Sequence, residues 1–179
     1  MSIPQKSKQA CLVVGMFMKD RTQFEQVVKP LKKQFGPIEM VSRWFNFDYT
    51  SYYEKEMGGP LFRRMISFST LIDPEQLPDI KLKTNQIEMQ FADDDHRTIN
   101  IDPGYIVPER FVLATGKNFT HRIYLNKGIF ADLTLIFQNG QFHKLPWTYP
   151  DYAADNIKNF LNNVRKHYLT KGVTTCLTV

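Results

Sequence analysis

Cysteine is scarce in this chain: two residues in 179, Cys11 and Cys176, far apart in sequence. Two thiols cannot build a disulfide framework, so the expectation is a reducing compartment, the cytoplasm, with both cysteines structural. Signature motifs are missing as well. There is no Cys-x-x-Cys pair, no His-Glu-x-x-His and no Gly-x-Ser-x-Gly, and Gly15 in "VVGMFMKD" is followed by neither the second glycine nor the Lys-Ser/Thr of a phosphate loop. These absences remove the common redox, zinc-protease, serine-hydrolase and P-loop readings, and no reaction follows from one motif. The apolar run Cys11 to Met18 falls far short of the roughly 20 residues that span a bilayer, so it reads as a buried strand, with no membrane partner and no export signal. Neither sign of charge dominates. With 23 Lys and Arg against 18 Asp and Glu the net charge is +5, a mild pull toward anionic partners.

A hydrophobic content of 42% with 23% charged residues describes a single domain, residues 1–179, able to bury a core. After the first strand, Asp20 or Thr22 caps a helix, with Glu25 completing a capping box. Phe24, Val27, Val28, Leu31 and Phe35 share one of its faces, and Gly36-Pro37 ends it. Pro30 removes a donor inside that helix and predicts a kink. "IEMVSRWFNF" reads as the second strand and "LFRRMISFS" as the third. Asp73-Pro74 starts a second helix bearing Leu77, Ile80, Thr84, Ile87 and Phe91, and the acidic run Asp93 to Asp95 marks its exit. "RTINI" gives a fourth strand before a turn at Asp102-Pro103-Gly104.

The resulting order βαββαβ predicts an α+β protein with a ferredoxin-like core over about 10–104. An antiparallel β-meander and a C-terminal helix then extend it over about 105–172. "HRIYL", "IFADLTLIF" and "QFHKL" are the meander strands, joined through Lys127-Gly128 and Asn139-Gly140, and the last helix ends at Gly172.

Four stretches concentrate polar chemistry. In "FDYTSYYEKEMGGP", Asp48, Thr50 or Ser51 can cap a short helix in which Tyr52 and Glu56 share one face while Tyr49, Tyr53 and Met57 line another. It is either a packed connector or a ligand wall. In "INIDPGYI", Ile99 and Ile101 face inward and Asn100 and Asp102 outward, so Asp102 either caps the turn or serves as base or cation ligand. "TGKNFTHRIYLNKG" presents Lys117, His121, Arg122, Tyr124 and Lys127, a set suited to gripping a phosphate or carboxylate. Strand alternation places His121 and Arg122 on opposite faces unless the strand is bulged or at an edge. "LPWTYPDY" offers Trp147 and Tyr149 for packing or stacking, with Asp151 supporting the last helix's positive end. Asp48, Glu54, Glu56, Glu88, Asp102 and His121 are suitable metal donors but lack a diagnostic spacing, so metal and cofactor stay undefined.

The words "FDYTSYYEKEMG", "LIDPEQL", "KLKTNQIE", "RTINIDPGYI", "VLATGKN", "HRIYLNKGIFADLTL" and "WTYPDY", in this order over nearly the whole chain, resemble the DUF4416 family of bacterial and archaeal proteins, whose function is unknown. The resemblance implies a shared polar set: Asp48, Tyr53, Glu54, Glu56, Lys83, Asn85, Glu88, Arg97, Asn100, Asp102, Lys117, His121, Arg122 and Tyr124. The expected activity is binding, and processing, of an anionic phosphate-bearing ligand: a nucleotide, a phosphorylated metabolite or an RNA end. Lys117, Arg122 and Lys127 would hold its charge, Asp102, Glu54 and His121 would transfer protons, and Tyr53, Tyr124 and Asn100 would orient it. The alternatives are a non-catalytic RNA-binding or protein-interaction module, a homodimer included, and a metal-dependent hydrolase.

Overall fold

A computed structural model describes residues 1–49, 53–93 and 96–174, with the side chains of residues 54, 55 and 172–174 outside that description. Thr50, Ser51, Tyr52, Asp94, Asp95 and Cys176 of the readings above therefore lie outside the described residues. In chain order the elements are β1 (Ala10–Met18), α1 (Phe24–Phe35), β2 (Ile38–Val41), β3 (Phe45–Phe47), α2 (Glu54–Met57), β4 (Leu61–Ile72), α3 (Leu77–Gln90), β5 (Ile99–Val107), β6 (Arg110–Thr115), β7 (Arg122–Asn126), β8 (Ile129–Gln138), β9 (Gln141–Lys144), α4 (Pro150–Ala153) and α5 (Asp155–Thr174).

Every residue of β1 is buried, which requires neighbours on both edges and layers on both faces. It pairs antiparallel with β4 and β5 inside a nine-stranded sheet ordered β2-β4-β1-β5-β6-β8-β7, in which β3 also pairs with β4 and β9 with β8. Alternation along β1 sends Leu12, Val14, Met16 and Met18 to one face, where Val27, Val28 and Leu31 of α1 and Ile80 and Ile87 of α3 cover them. Cys11 and Val13 point to the other face, under Ile157, Phe160, Leu161 and Val164 of α5 and Tyr152 of α4. The protein is thus a mixed α/β structure built on one large antiparallel sheet. Burial pushes the Cys11 thiol up to about 12, which leaves it unreactive near neutral pH.

Local signals are honoured with adjustments. Asp20 rather than Thr22 caps the first helical segment, accepting from the Thr22 backbone N–H at 2.8 Å and from its hydroxyl at 2.7 Å, and a 3-10 turn at Arg21–Gln23 leads into α1. That helix runs on through Pro30, since the carbonyl deprived of its donor belongs to exposed Gln26, where water can serve it. A 3-10 turn at Pro74–Gln76 likewise precedes α3, and Gln76 Oε1 accepts the Asp73 N–H at 3.0 Å. Lys127-Gly128 and Asn139-Gly140 all adopt positive φ, as two-residue hairpin turns require. The last helical region breaks at Ala154 between α4 and α5, and α5 continues past Gly172 to Thr174.

Three expectations are corrected. "IEMVSRWFNF" forms two short strands, β2 and β3, each pairing with a different part of β4. "RFVLAT" forms β6, and the following strands are not a simple meander, because β8 lies between β6 and β7 and shares its outer edge between β7 and β9. The chain does not turn at Asp102-Pro103-Gly104. β5 runs straight through these residues, paired with β1 from Ile99 to Ile106.

Proline tolerates this position for a topological reason. The β5–β6 ladder ends at Gly104–Leu113, so residues 99–103 of β5 have no strand on that side. Strand residues two apart aim their backbone groups the same way, and the N–H and C=O of Ile101 are taken by side chains of α3: Glu88 Oε1 accepts the N–H at 2.5 Å and Lys81 Nζ donates to the oxygen at 2.9 Å. Pro103 therefore faces the open edge, where it has no N–H to leave unpaired.

Candidate functional site

The parting of β5 from β6 creates the site. A cavity of ≈ 760 Å³ lies there, floored by Asn100 and Asp102 of β5 and edged by Leu113 to Lys117 at the end of β6. Through the gap, α3 presents Lys81, Asn85 and Glu88, which recur at helical spacing beside its apolar stripe. Arg63 of β4 enters from below, Asp151 and Tyr152 of α4 from the far side, and Arg122 and Asp132 from the paired strands β7 and β8. Aromatic residues Phe17, Phe47, Tyr49, Tyr53 and Tyr149 complete the wall.

Buried charge dominates its electrostatics. Arg63 is 2% exposed and forms ion pairs with Asp151 and, at 3.5 Å, with Asp102, while the rings of Tyr152, Phe47 and Phe17 stand 4.5, 5.2 and 5.7 Å from its guanidinium carbon. Asp102 also lies 3.8 Å from Lys81 and accepts from Asn100 Nδ2 at 2.8 Å. Its side chain is 27% exposed, against 5% for Asp132 and 8% for Asp151, so of these three ion-paired acids it is the one a ligand can reach. Arg97 holds Glu56 through two 2.7 Å bonds and reaches Asn100 Oδ1 at 3.1 Å. Those hydrogen bonds hold the Glu56 carboxyl below its usual range and drive Arg97 upward. Burial, reinforced by the nearby Asp102 charge, pushes the Tyr53 phenol up to about 12, keeping it a neutral donor.

A second network closes the other end. Asp132 Oδ2 accepts from Arg122 Nε at 2.9 Å and lies 3.1 Å from His121 Nε2, whose ring stacks on Trp147 at 5.1 Å. Arg122 is committed on all three nitrogens, its terminal ones donating to the Lys117 carbonyl and the Tyr149 hydroxyl at 3.0 Å each.

Of the residues singled out from sequence, Asp102, Asn100, Tyr53, Lys117 and Arg122 line this one cavity, as do Asn85, Glu88 and Arg97 of the shared polar set and Tyr49, Tyr149 and Asp151. His121 and Arg122 meet on Asp132 despite their adjacency, because β7 is an edge strand that begins only at Arg122. His121 itself stands behind Asp132 and does not line the cavity. Tyr124 packs edge-on against Phe130 on the outside, and Lys127 pairs with Asp79 at 2.6 Å on the surface, so neither belongs to the site. The side chain of Glu54 is outside the described residues. Tyr53 and Met57 of the "FDYTSYYEKEMGGP" stretch pack on Phe17 and Phe47, and Tyr53 at the same time faces the cavity, so connector and wall coincide.

Sequence reasoning missed Arg63, Lys81, Asp132 and Asp151 as site residues. The available signal was a charge within an otherwise buried strand or helix face, which must find a partner. Among the described residues no group of three His, Cys, Asp or Glu side chains is arranged to hold a metal ion, and no helix there is long and apolar enough to cross a membrane.

Glu88 carries a prediction. Burial raises its pKa from 4.5 to about 7, with Lys81 opposing. Between those values the folded chain keeps a proton that the unfolded chain has lost, so stability should fall as pH rises through that window and level off above it. Denaturant unfolding from pH 4.5 to 8 should show a loss of about 3 kcal/mol relative to Glu88→Gln, which retains the acceptor for Ile101 but cannot ionise. Parallel pH profiles would refute the assignment.

A family profile described as a domain of unknown function, DUF4416, matches residues 8–168. No curated protein and no solved structure matches the chain.

Proposed function

The chain belongs to the DUF4416 family, and we propose that its cleft binds an anionic, phosphate-bearing small molecule, with a nucleotide or phosphorylated metabolite as the ligand class. The observation that carries this reading is that Arg63, Lys81, Arg97, Lys117 and Arg122, from five separate segments, converge on one aromatic-walled cavity, where Asp102, Asp132 and Asp151 pair Arg63, Lys81 and Arg122, and Glu56 pairs Arg97. Lys117, exposed at the rim, meets the ligand's charge. The Tyr49 and Tyr149 rings, exposed at the same mouth, offer faces for a planar or sugar ring. Asp102, the reachable ion-paired acid, is the group placed to take a proton from a bound hydroxyl.

A thermal-shift screen with nucleotides and phosphosugars tests the reading. A ligand at 100 times its Kd should stabilise the protein by about 2.7 kcal/mol, and Lys117→Ala should shrink the shift. An unchanged midpoint with every anionic probe would dispose of it.

A second reading, as an RNA-binding or protein-interaction module, is favoured by one observation. Phe119, Ile123 and Tyr124 are 62%, 70% and 58% exposed on and beside edge strand β7. RNA contacts would weaken steeply with salt, whereas a homodimer formed through this face would dissociate on dilution. For the fold, the order β2-β4-β1-β5 with α1 and α3 on one face supports a ferredoxin-like core. The buried thiol of Cys11 fits a reducing cytoplasm.

A further inference from the structure

The acids of the cleft are not equivalent. Asp102 is paired with Arg63 and Lys81, Asp151 with Arg63, and Asp132 with Arg122 and His121. Glu88 is 6% exposed and has no cation within 4 Å among the described residues, although it lines the same cavity. One of its oxygens is fixed by the Ile101 N–H at 2.5 Å. Its other oxygen accepts no hydrogen bond among the described residues, yet is not among the sealed, unpartnered atoms, so it is open to the cleft. A buried carboxyl without a counter-ion escapes its desolvation cost by keeping its proton, and a protonated carboxyl is a donor.

We propose that Glu88 meets the bound anion as a neutral carboxylic acid, donating a hydrogen bond to a ligand oxygen, so that the cleft releases its ligand as Glu88 ionises. This rests on the anion-binding reading above and adds the group that sets its pH range. The other charged groups facing Glu88 are Lys81 on its own helix, Asp102 on β5 and Arg97 ahead of that strand, with neutral Asn85 and Asn100 between them. Lys117, Arg63, Arg122, Asp132 and Asp151 stand around the rest of the cavity. Burial holds the Glu88 carboxyl near neutrality, where a modest change in pH alters its charge. No bond is made or broken in this step. The proton stays on Glu88 and is shared with the ligand.

The test is calorimetric titration of wild type and Glu88→Gln with inorganic phosphate, AMP and ribose 5-phosphate between pH 6.5 and 8.5. Gln donates a similar hydrogen bond at every pH and still accepts from Ile101. The ratio of the two affinities cancels titration of the ligand. Wild type and variant should bind within a few-fold of each other at pH 6.5, and the wild type should lose affinity relative to the variant by about tenfold per pH unit above neutrality. A ratio that stays flat overturns the role of Glu88 and leaves the anion-binding reading intact, whereas no binding of any probe to wild type at pH 6.5 overturns both. Should Glu88→Gln fail to fold, the wild type alone decides. Binding at pH 8 in buffers of different ionisation enthalpy should take up close to one proton per ligand, and zero uptake overturns the proposal.

Discussion

Replacing Arg63 with alanine is expected to lower the unfolding free energy by about 3–5 kcal/mol, more than any other single change at the cleft. The guanidinium is buried near the start of β4 and serves two carboxylates, Asp102 of β5 and Asp151 of α4. Without it, Asp151 is left with 8% side-chain exposure and no cation, and a buried unpaired charge costs far more than its ion pair contributed. Packing is lost too, since three aromatic rings surround the guanidinium. Denaturant unfolding measures the loss, and a second variant fixes its cause. Adding Asp151→Asn to Arg63→Ala should recover part of the stability by removing the stranded charge. If the double variant is less stable than the single one by the full cost of Asp151→Asn alone, the ion pair is not the source. Arg63→Lys should remain well below wild type, because one ammonium cannot bridge two acids as a planar fork does.

Gly104→Ala is expected to destabilise by about 3 kcal/mol, although glycine and alanine differ by one methyl group. A Cβ at this position would stand 2.5 Å from the Val112 carbonyl oxygen, 3.0 Å from Leu113 Cδ2 and 3.1 Å from Phe111 Cε2. The first of these is backbone of the neighbouring strand and cannot rotate away, so β5 and β6 must move apart at their last shared pair. Asp102 is two residues from that pair, and ligand affinity should drop together with stability. Gly116→Ala is the control. Nothing lies within 4 Å of a Cβ there, and its effect should stay within about 0.5 kcal/mol. Equal effects of the two substitutions would show that close approach at Gly104 is not what requires glycine.

The elements legible in the sequence were those written locally. Asn139-Gly140 and Lys127-Gly128 announced their hairpins because positive φ suits Gly128, Gly140 and Asn139, and the alternation of Ile99, Asn100, Ile101 and Asp102 correctly divided the core face from the cavity face. Asp102-Pro103-Gly104 misled for the opposite reason. Its residues are those of a turn, and only the absence of a second strand on the free side of Pro103, a property of the sheet as a whole, lets them lie extended beside β1. "RFVLAT" was passed over because Phe111 to Ala114 are buried on both faces and show no alternation. Sequence assembled half of the cavity, from Asn100 and Asp102 to Lys117 and Arg122. Arg63, Lys81, Asp132 and Asp151 stayed hidden, since each is one charge inside an apolar pattern and its partner sits on another element. Lys127 and Tyr124 were grouped with the site by nearness along the chain, but β7 carries them outward, away from the split.

The open edge of β5 turns one amide into a reporter. In a continuous sheet the Ile101 N–H would be shielded by a carbonyl of the adjoining strand, whose acceptor strength does not vary with pH. Here its acceptor is the carboxyl of Glu88, and its strength does. The Ile101 cross-peak in a nitrogen–proton correlation spectrum should therefore shift with the ionisation of Glu88 and respond again when a ligand fixes that state. One resonance thus reads both events at the cleft from the backbone of the sheet itself.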